Sequence, residues 1–204
     1  GKTTTLYTVL KQINTKEISI TTIEDPIEYS IEGINQVQAN ANTGLTFANG
    51  LRSMLRQDPD VIMVGEIRDP ETAGLAVNTA LTGHLVLSTL HTNDAATTLP
   101  RLLDLGVEPY LIAATVNVIV GQRLVRKICE NCKTSRKITE GDAKNLLHEE
   151  AREAFANIDT LWYGKGCNAC GESGYFGRFG IYEVMPITES IRKAMLRNTS
   201  ASEL

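Results

Sequence analysis

Three short apolar runs, each leading into a polar or ionisable group, constrain this chain more than any other feature of its 204 residues. Ile18 to Ile23 alternates with the period of two of a strand and runs into Glu24-Asp25-Pro26. Val61-Ile-Met-Val64 is apolar throughout and bounded by Pro59 and Gly65, as suits a strand buried on both faces, and it runs into Glu66. His84 to Leu90 is strand-like and is followed by His91-Thr92-Asn93-Asp94. Between these runs the spacing becomes helical: Thr3 to Ile13 with Leu6, Val9, Leu10 and Ile13; Thr46 to Arg56; and a segment opened by Asp69-Pro70 that carries Leu75, Ala76, Ala80 and Leu81. Strand alternating with helix predicts an α/β fold with a parallel-rich sheet covered by helices. Such sheets bind ligands beyond the carboxyl ends of their strands, so the acids and histidines beside the three runs become candidate site residues.

The spacing also predicts helices from Asn93 or Asp94 to Leu105, from Pro109 to Lys127 and from about Asp142 to Asn157, and an amphipathic tail with Ile191, Met195 and Leu196. The 20 basic and 24 acidic residues give a net charge of −4, which disfavours nonspecific gripping of nucleic acid by its phosphates. The longest apolar stretch, Tyr110 to Val120, is about half a bilayer span and is interrupted by Thr115 and Asn117.

Gly1-Lys2-Thr3-Thr4 reads as the right half of a phosphate loop, G-x-x-x-x-G-K-[ST]. In the whole motif, backbone N–H groups cradle phosphates, the lysine reaches the β and γ oxygens and the hydroxyl ligates Mg²⁺. Four residues alone say little. A nucleotide hydrolase also needs an acid at the end of a neighbouring apolar strand, and Val61 to Glu66 supplies one. Arg52 and Arg56, at i and i+4, fall on one face of their helix. The four cysteines form two knuckles, Cys129-x-x-Cys132 and Cys167-x-x-Cys170, separated by 34 residues. Four soft ligands in this pattern suit tetrahedral Zn²⁺ in a closed structural site. Two disulfides or four uncommitted thiols are the competing readings, and a nucleotide-using protein of the cytosol does not normally keep disulfides.

Thr22-Ile-Glu-Asp-Pro-Ile-Glu-Tyr29, Gly44-Leu-Thr-Phe-Ala48, Leu51 to Asp69 and Ala80 to Asp94 together resemble the Asp box, Walker B and His box of the secretion ATPases, the hexameric motors of type II secretion and type IV pilus assembly. The likeness continues through Gly121-Gln-Arg-Leu-Val125 to Gly180-Ile-Tyr-Glu-Val184. It implies a RecA-like P-loop NTPase core and an ATPase that uses ATP and Mg²⁺. The resemblance further implies that Gly1, Lys2, Thr3 and Thr4 contact the nucleotide, with Thr3 on Mg²⁺. Glu24 would polarise the attacking water, and Glu66 would hold the metal through water or itself serve as the base. His84 and His91 would sense the γ-phosphate, and Arg52 and Arg56 would balance phosphate charge. Family members of the assembly and secretion branch usually carry the tetracysteine module, whereas retraction and conjugative relatives usually lack it.

These readings divide the chain into a RecA-like ATPase core over 1–127, a tetracysteine zinc-binding module over 128–175 and a C-terminal helical segment over 176–204. The chain opens on half a phosphate loop without an initiator Met, and the expectation is an interior fragment of a longer motor, weakly active at most by itself. By resemblance the whole protein would be a homo-hexamer in the cytoplasm, peripheral at the inner membrane, working with a platform protein and an adaptor. No nucleic-acid partner is expected. A related DNA-uptake or conjugation ATPase is the alternative within the motor class. A zinc-ribbon nucleic-acid binder is the alternative outside it, motivated by six basic residues against one acidic between Arg123 and Lys137.

Overall fold

In the computed structural model, residues 1–92, 94–139, 141–142 and 158–196 are described. The elements run α1 (Lys2–Ile13), β1 (Ile20–Glu24), β2 (Asn35–Gln38), α2 (Phe47–Met54), β3 (Val61–Val64), α3 (Pro70–Leu81), β4 (Leu85–Ser88), α4 (Thr98–Asp104), α5 (Pro109–Thr115), β5 (Val118–Ile128), β6 (Lys133–Lys137), β7 (Thr160–Gly164), β8 (Tyr175–Pro186) and α6 (Glu189–Leu196). They fall into two compact units, residues 1–122 with 182–204 and residues 123–181.

The first unit is built on a four-stranded sheet in the order β2-β1-β3-β4, with every neighbouring pair parallel. Side chains alternate across a strand, so each inner strand feeds two cores. Ile20 of β1 and Val61 and Met63 of β3 pack with Tyr7 and Leu10 of α1 on one face. Ile23, Ile62 and Val64 pack on the other with Leu51 and Met54 of α2, Ala73, Ala76 and Val77 of α3, Leu99 and Leu102 of α4, Ile112 of α5 and Met195 of α6. All four residues of β3 are at most 4% exposed. Full burial of side chains of this size contributes roughly 1.5–3 kcal/mol each, which is why the apolar run reads so clearly as an inner strand.

Local signals fix the helix starts. The Thr46 side chain accepts a hydrogen bond from the Asn49 N–H (3.2 Å) and caps α2. Asp69 caps α3 by accepting from the Thr72 N–H (2.8 Å), with Pro70 in the first turn. At α4 the structure differs from the sequence expectation: the helix begins only at Thr98, and Asp94 caps the preceding turn by accepting from the Thr97 N–H at 2.8 Å. Asn93 lies outside the described residues.

The long helix expected over Pro109 to Lys127 is corrected. Helix α5 stops at Thr115, Val116 turns extended at ψ 124°, and Val118 to Ile128 form β5, paired with β8. The β-branched residues Val116, Val118, Ile119 and Val120 favour a strand, and a sequence-distant partner strand is available to pair with them. The helix expected from Asp142 to Asn157 lies, but for Asp142, outside the described residues.

In the second unit β6 and β7 form an antiparallel pair with Lys133 opposite Gly164, Ser135 opposite Trp162 and Lys137 opposite Thr160. A side chain at Gly164 would put its Cβ 2.0 Å from the Gly174 carbonyl oxygen, so only glycine permits this backbone approach. The unit boundaries fall inside β5 and β8, whereas the sequence suggested boundaries at 127/128 and 175/176.

Candidate functional site

Because the sheet is parallel, its carboxyl edge collects whatever follows each strand: Glu24 at the end of β1, Gly65-Glu66 after β3, and Thr89 to His91 after β4. Gly65 donates its N–H to the Ile23 carbonyl (2.8 Å), and a Cβ there would stand 3.2 Å from that oxygen and 3.3 Å from the Glu24 Cα. Glycine thus lets the chain leave β3 against β1. Two hydrogen bonds then tie the exits of β3 and β4 together, Thr89 Oγ1 to the Gly65 carbonyl (2.8 Å) and the Ile67 N–H to the Thr89 carbonyl (2.9 Å).

That framework brings Glu66 to His91. Glu66 Oε2 lies 2.9 Å from His91 Nε2 and 2.5 Å from Arg68 Nε, with the glutamate side chain 11% exposed. Burial pushes the Glu66 carboxyl up, but the hydrogen bonds and charges of His91 and Arg68 outweigh it and hold the group below the ordinary carboxylate range. Lys2 donates from Nζ to the Leu90 carbonyl (3.0 Å), which places the lysine beside the same exit loop. Helix α1 starts at Lys2 behind Gly1, without a side-chain cap and without an acid in its first turn. Its first N–H groups, with Thr3 and Thr4, therefore suit an anion. Lys2, Glu66 and His91 are thus gathered at one edge of the sheet.

The other expected site residues are placed differently. His84 precedes β4 and so stands at the amino edge of the sheet, where its Nδ1 meets Thr82 Oγ1 (3.0 Å) and the Thr79 carbonyl (3.2 Å). The four residues of β4 separate it from the carboxyl edge by on the order of 13 Å. The two histidines expected to sense the γ-phosphate thus stand at opposite ends of β4. Arg52 pairs with Glu71 in the first turn of α3 (2.6 Å), and Arg56, just beyond α2, turns back on that helix, to the Arg52 carbonyl (3.0 Å) and Ser53 Oγ (3.2 Å). The Glu24 carboxylate is directed inward and is 1% exposed. Its Oε1 accepts from Thr22 Oγ1 (2.7 Å) and Gln36 Nε2 (3.1 Å), and its Oε2 accepts the hydroxyl of Tyr7. Tyr7 and Gln36 were not singled out from the sequence. Tyr7 stands at the core-facing spacing of α1, where an aromatic reads simply as core, and Gln36 lies in a polar strand without an evident pattern.

The second unit holds the other cluster. Its β6–β7 pairing sets Lys133 against Gly164, so the knuckle before β6 and the knuckle after β7 meet. Cys129 and Cys167 sulfurs are 3.9 Å apart, Cys132 and Cys170 3.9 Å, and Cys167 and Cys170 3.7 Å, with all four within 4.8 Å of one another. No pair is at disulfide distance and all four are free thiols. One ion bound about 2.3 Å from each of four tetrahedral sulfurs would separate them by about 3.8 Å, which these spacings match. Burial pushes the Cys170 thiol up, but the N–H groups of Cys167 and Gly174 and the neighbouring sulfurs outweigh it and bring it down to about 6. Burial and the neighbouring sulfurs push Cys132 up to about 12. One sulfur is thus favoured as a thiolate at the expense of a neighbour, and a cation among them would let all four ionise.

The model of the family described as type II/IV secretion system protein matches residues 1–204. The chain is 50% identical over 204 residues to a type IV pilus assembly ATPase, PilB, of Thermus thermophilus, covering 100% of the chain and 23% of that protein. It is 48% identical over 195 residues to the type II secretion system protein E of Aeromonas hydrophila, covering 96% of the chain and 38% of that protein. It spans well under half the length of either relative. Among solved structures, the pilus retraction motor PilT with bound ADP superposes with a TM-score of 0.66 at 31% identity, over 97% of this chain and 47% of that one. The Legionella pneumophila ATPase DotB gives 0.63 at 26% identity, over 100% and 46%. The α/β core, the boxes that line its carboxyl edge and the match over its whole length lead to one statement: this chain belongs to the type II/IV secretion system protein family.

Proposed function

We propose that this chain is the ATP-hydrolysing part of a motor that drives assembly of pilin-like subunits, in type IV pilus biogenesis or type II secretion. The observation that carries the reading is the meeting of Lys2 with the β4 exit loop beside the Glu66–His91 pair, which unites the phosphate loop's lysine with a strand-end carboxylate. Phosphoryl transfer asks little covalent help of a protein and is catalysed chiefly by positioning and charge. The start of α1 with Lys2 would hold the phosphates, and His91 would follow the γ-phosphate while hydrogen-bonded to Glu66. Glu66, kept ionised by its neighbours, would orient the attacking water. Thr3 and, through water, Glu66 would hold Mg²⁺, which would neutralise charge developing on the phosphates.

The four cysteines would hold Zn²⁺ as a closed structural centre, since all its positions are taken by sulfur. That centre, together with the two named assembly and secretion relatives, favours the assembly branch over a DNA-uptake or conjugation motor. No helix among the described residues is long and apolar enough to cross a membrane. We place the motor at the cytoplasmic face of the inner membrane as a homo-hexamer that acts on a platform protein. Steady-state phosphate release by the protein that carries this chain tests the proposal. Lys2→Ala and Glu66→Gln should each lower turnover by about 100-fold or more, in line with the removal of a preorganised electrostatic group. Turnover within about threefold of the parent in both variants would reject the site.

A further inference from the structure

Strand β8 carries an acid beside the core of the sheet unit. Glu183 and Met185 fall on one face of the strand, and Met185 packs with Ile187 against that core. The Ile187 N–H donates to the Asn117 carbonyl (2.9 Å), which fixes this stretch to the residue before β5. From that fixed position Glu183 reaches the segment beyond His91, where its Oε2 accepts the Ala95 N–H at 2.9 Å. Ala95 is fully buried in the same core. A buried N–H without a partner is costly, so the carboxylate answers a demand of the segment itself.

Gly121, inside β5, is a second and independent observation. Its φ is not in the left-handed region, so its backbone conformation is open to any residue. Space is what asks for glycine. An added Cβ would stand 2.8 Å from Glu183 Oε2 and 3.1 Å from the Ala95 nitrogen, the two ends of the hydrogen bond. Glycine within a strand weakens it and often marks a close approach by another part of the chain. Here the approaching groups are the carboxylate and its amide.

The segment so held carries His91. On one side of the histidine, the Ile67 N–H to the Thr89 carbonyl and Thr89 Oγ1 to the Gly65 carbonyl tie down the exit of β4. On the other side, Thr92 Oγ1 meets Thr98 Oγ1 (2.9 Å) and Glu183 holds Ala95. We propose that Glu183 is a positioning residue for the nucleotide site: by accepting the Ala95 N–H across Gly121, it fixes the segment that follows β4 and so keeps His91 on Glu66, without itself touching nucleotide. The inference rests on the phosphate-site reading above.

Steady-state ATP turnover and ADP binding by the protein that carries this chain test the link. Glu183→Ala should lower kcat about fivefold, and no more than His91→Ala does, because it acts through the placement of that histidine. ADP affinity should stay within about twofold of the parent, since ADP lacks the γ-phosphate that His91 follows. Glu183→Gln keeps an acceptor oxygen at the same reach and should retain at least about half of parental kcat. Gly121→Ala, which pushes the carboxylate off Ala95, should reproduce Glu183→Ala, and joining the two should cost no more than the larger single loss. In a His91→Ala background, Glu183→Ala should change turnover by less than about twofold. Parental turnover in Glu183→Ala would overturn the proposal. So would a loss as large on top of His91→Ala as in the parent, or one matched by weakened ADP binding, because either is a general loss of structure. His91→Ala tests the site separately: parental turnover in that variant would reject the γ-phosphate reading, and this inference with it.

Discussion

Removing the Zn²⁺ proposed for the four-cysteine cluster should unfold the described residues of the 123–181 unit and spare the sheet unit. The magnitude follows from what this unit lacks. It has about 60 residues, a size at which a hydrophobic core alone is marginal. Among its described residues, Cys129 is the only buried apolar side chain, while Trp162, Phe176 and Phe179 are each more than half exposed. Metal binding to a tetrahedral cysteine set contributes on the order of 10 kcal/mol, which is comparable to the whole stability of a typical domain. With so little apolar burial to offset chain entropy, loss of that contribution leaves nothing to hold β6 against β7. Trp162 is the chain's one tryptophan and sits on β7 with the Lys133 ammonium 4.8 Å from its ring centroid, so its fluorescence reports on this unit alone. A chelator titration should release one equivalent of zinc per chain in a single transition that coincides with the change in Trp162 emission. Hydrogen exchange should then show protection lost over 123–139 and 158–181 and kept over β1, β3 and α3. Cys167→Ser should reproduce the metal-free pattern. Metal-free protein with unaltered emission and unaltered exchange would refute the argument, because it would mean the unit folds on contacts other than the sulfurs.

Two further perturbations separate packing from chemistry. His84→Ala should leave ATP turnover within about threefold of the parent, whereas His91→Ala, which removes the partner of Glu66, should cost at least about tenfold; equal losses measured side by side would show that the amino-edge histidine takes part. In Gly50→Ala the new Cβ would fall 2.0 Å from Ile23 Cδ1 and 3.3 Å from its Cγ1. The helix-propensity gain of about 1 kcal/mol is outweighed by overpacking of about 1–3 kcal/mol, so urea unfolding should show a net loss near 1 kcal/mol. Ile23→Val removes the clashing carbon and should abolish the penalty; stabilisation by Gly50→Ala with Ile23 in place would contradict it.

Much of the sheet unit was legible because its signals are local. The apolar run Val61 to Val64 is an inner strand with both faces covered, and Asp69-Pro70 does start a helix. The second half was less legible because its structure is decided by pairing over distance. Val118 to Ile128 has both apolar spacing and β-branched residues, and only the presence of β8, which begins at Tyr175, makes it a strand. At the site, motif boxes located Lys2, Glu66 and His91 but could not orient them. Strand direction turned His84 to the far edge, and the i, i+2 pair Thr22 and Glu24 faced α1, where a tyrosine outside every box closed on the acid. Arg68 lies within the quoted Walker B stretch, yet its role beside Glu66 came from geometry alone.

The path of the chain through β5 and β8 has a consequence for how such a protein can be assembled from parts. The strands pair side by side, with Gly121 so close to Glu183 that an added Cβ would come within 2.8 Å of its carboxylate, and the Gln122 amide reaches the Tyr182 hydroxyl at 3.4 Å. Departure and return therefore occur at neighbouring positions, and everything from 123 to 181 is a detour taken from a point to which the chain comes back. Glu183 accepts the Ala95 N–H (2.9 Å) just after that return, so the strand re-enters already fastened to the loop beyond His91. A tight turn between 122 and 182 would rejoin the same two strands, so a chain without the cysteine-bearing excursion should keep the path of the sheet unit.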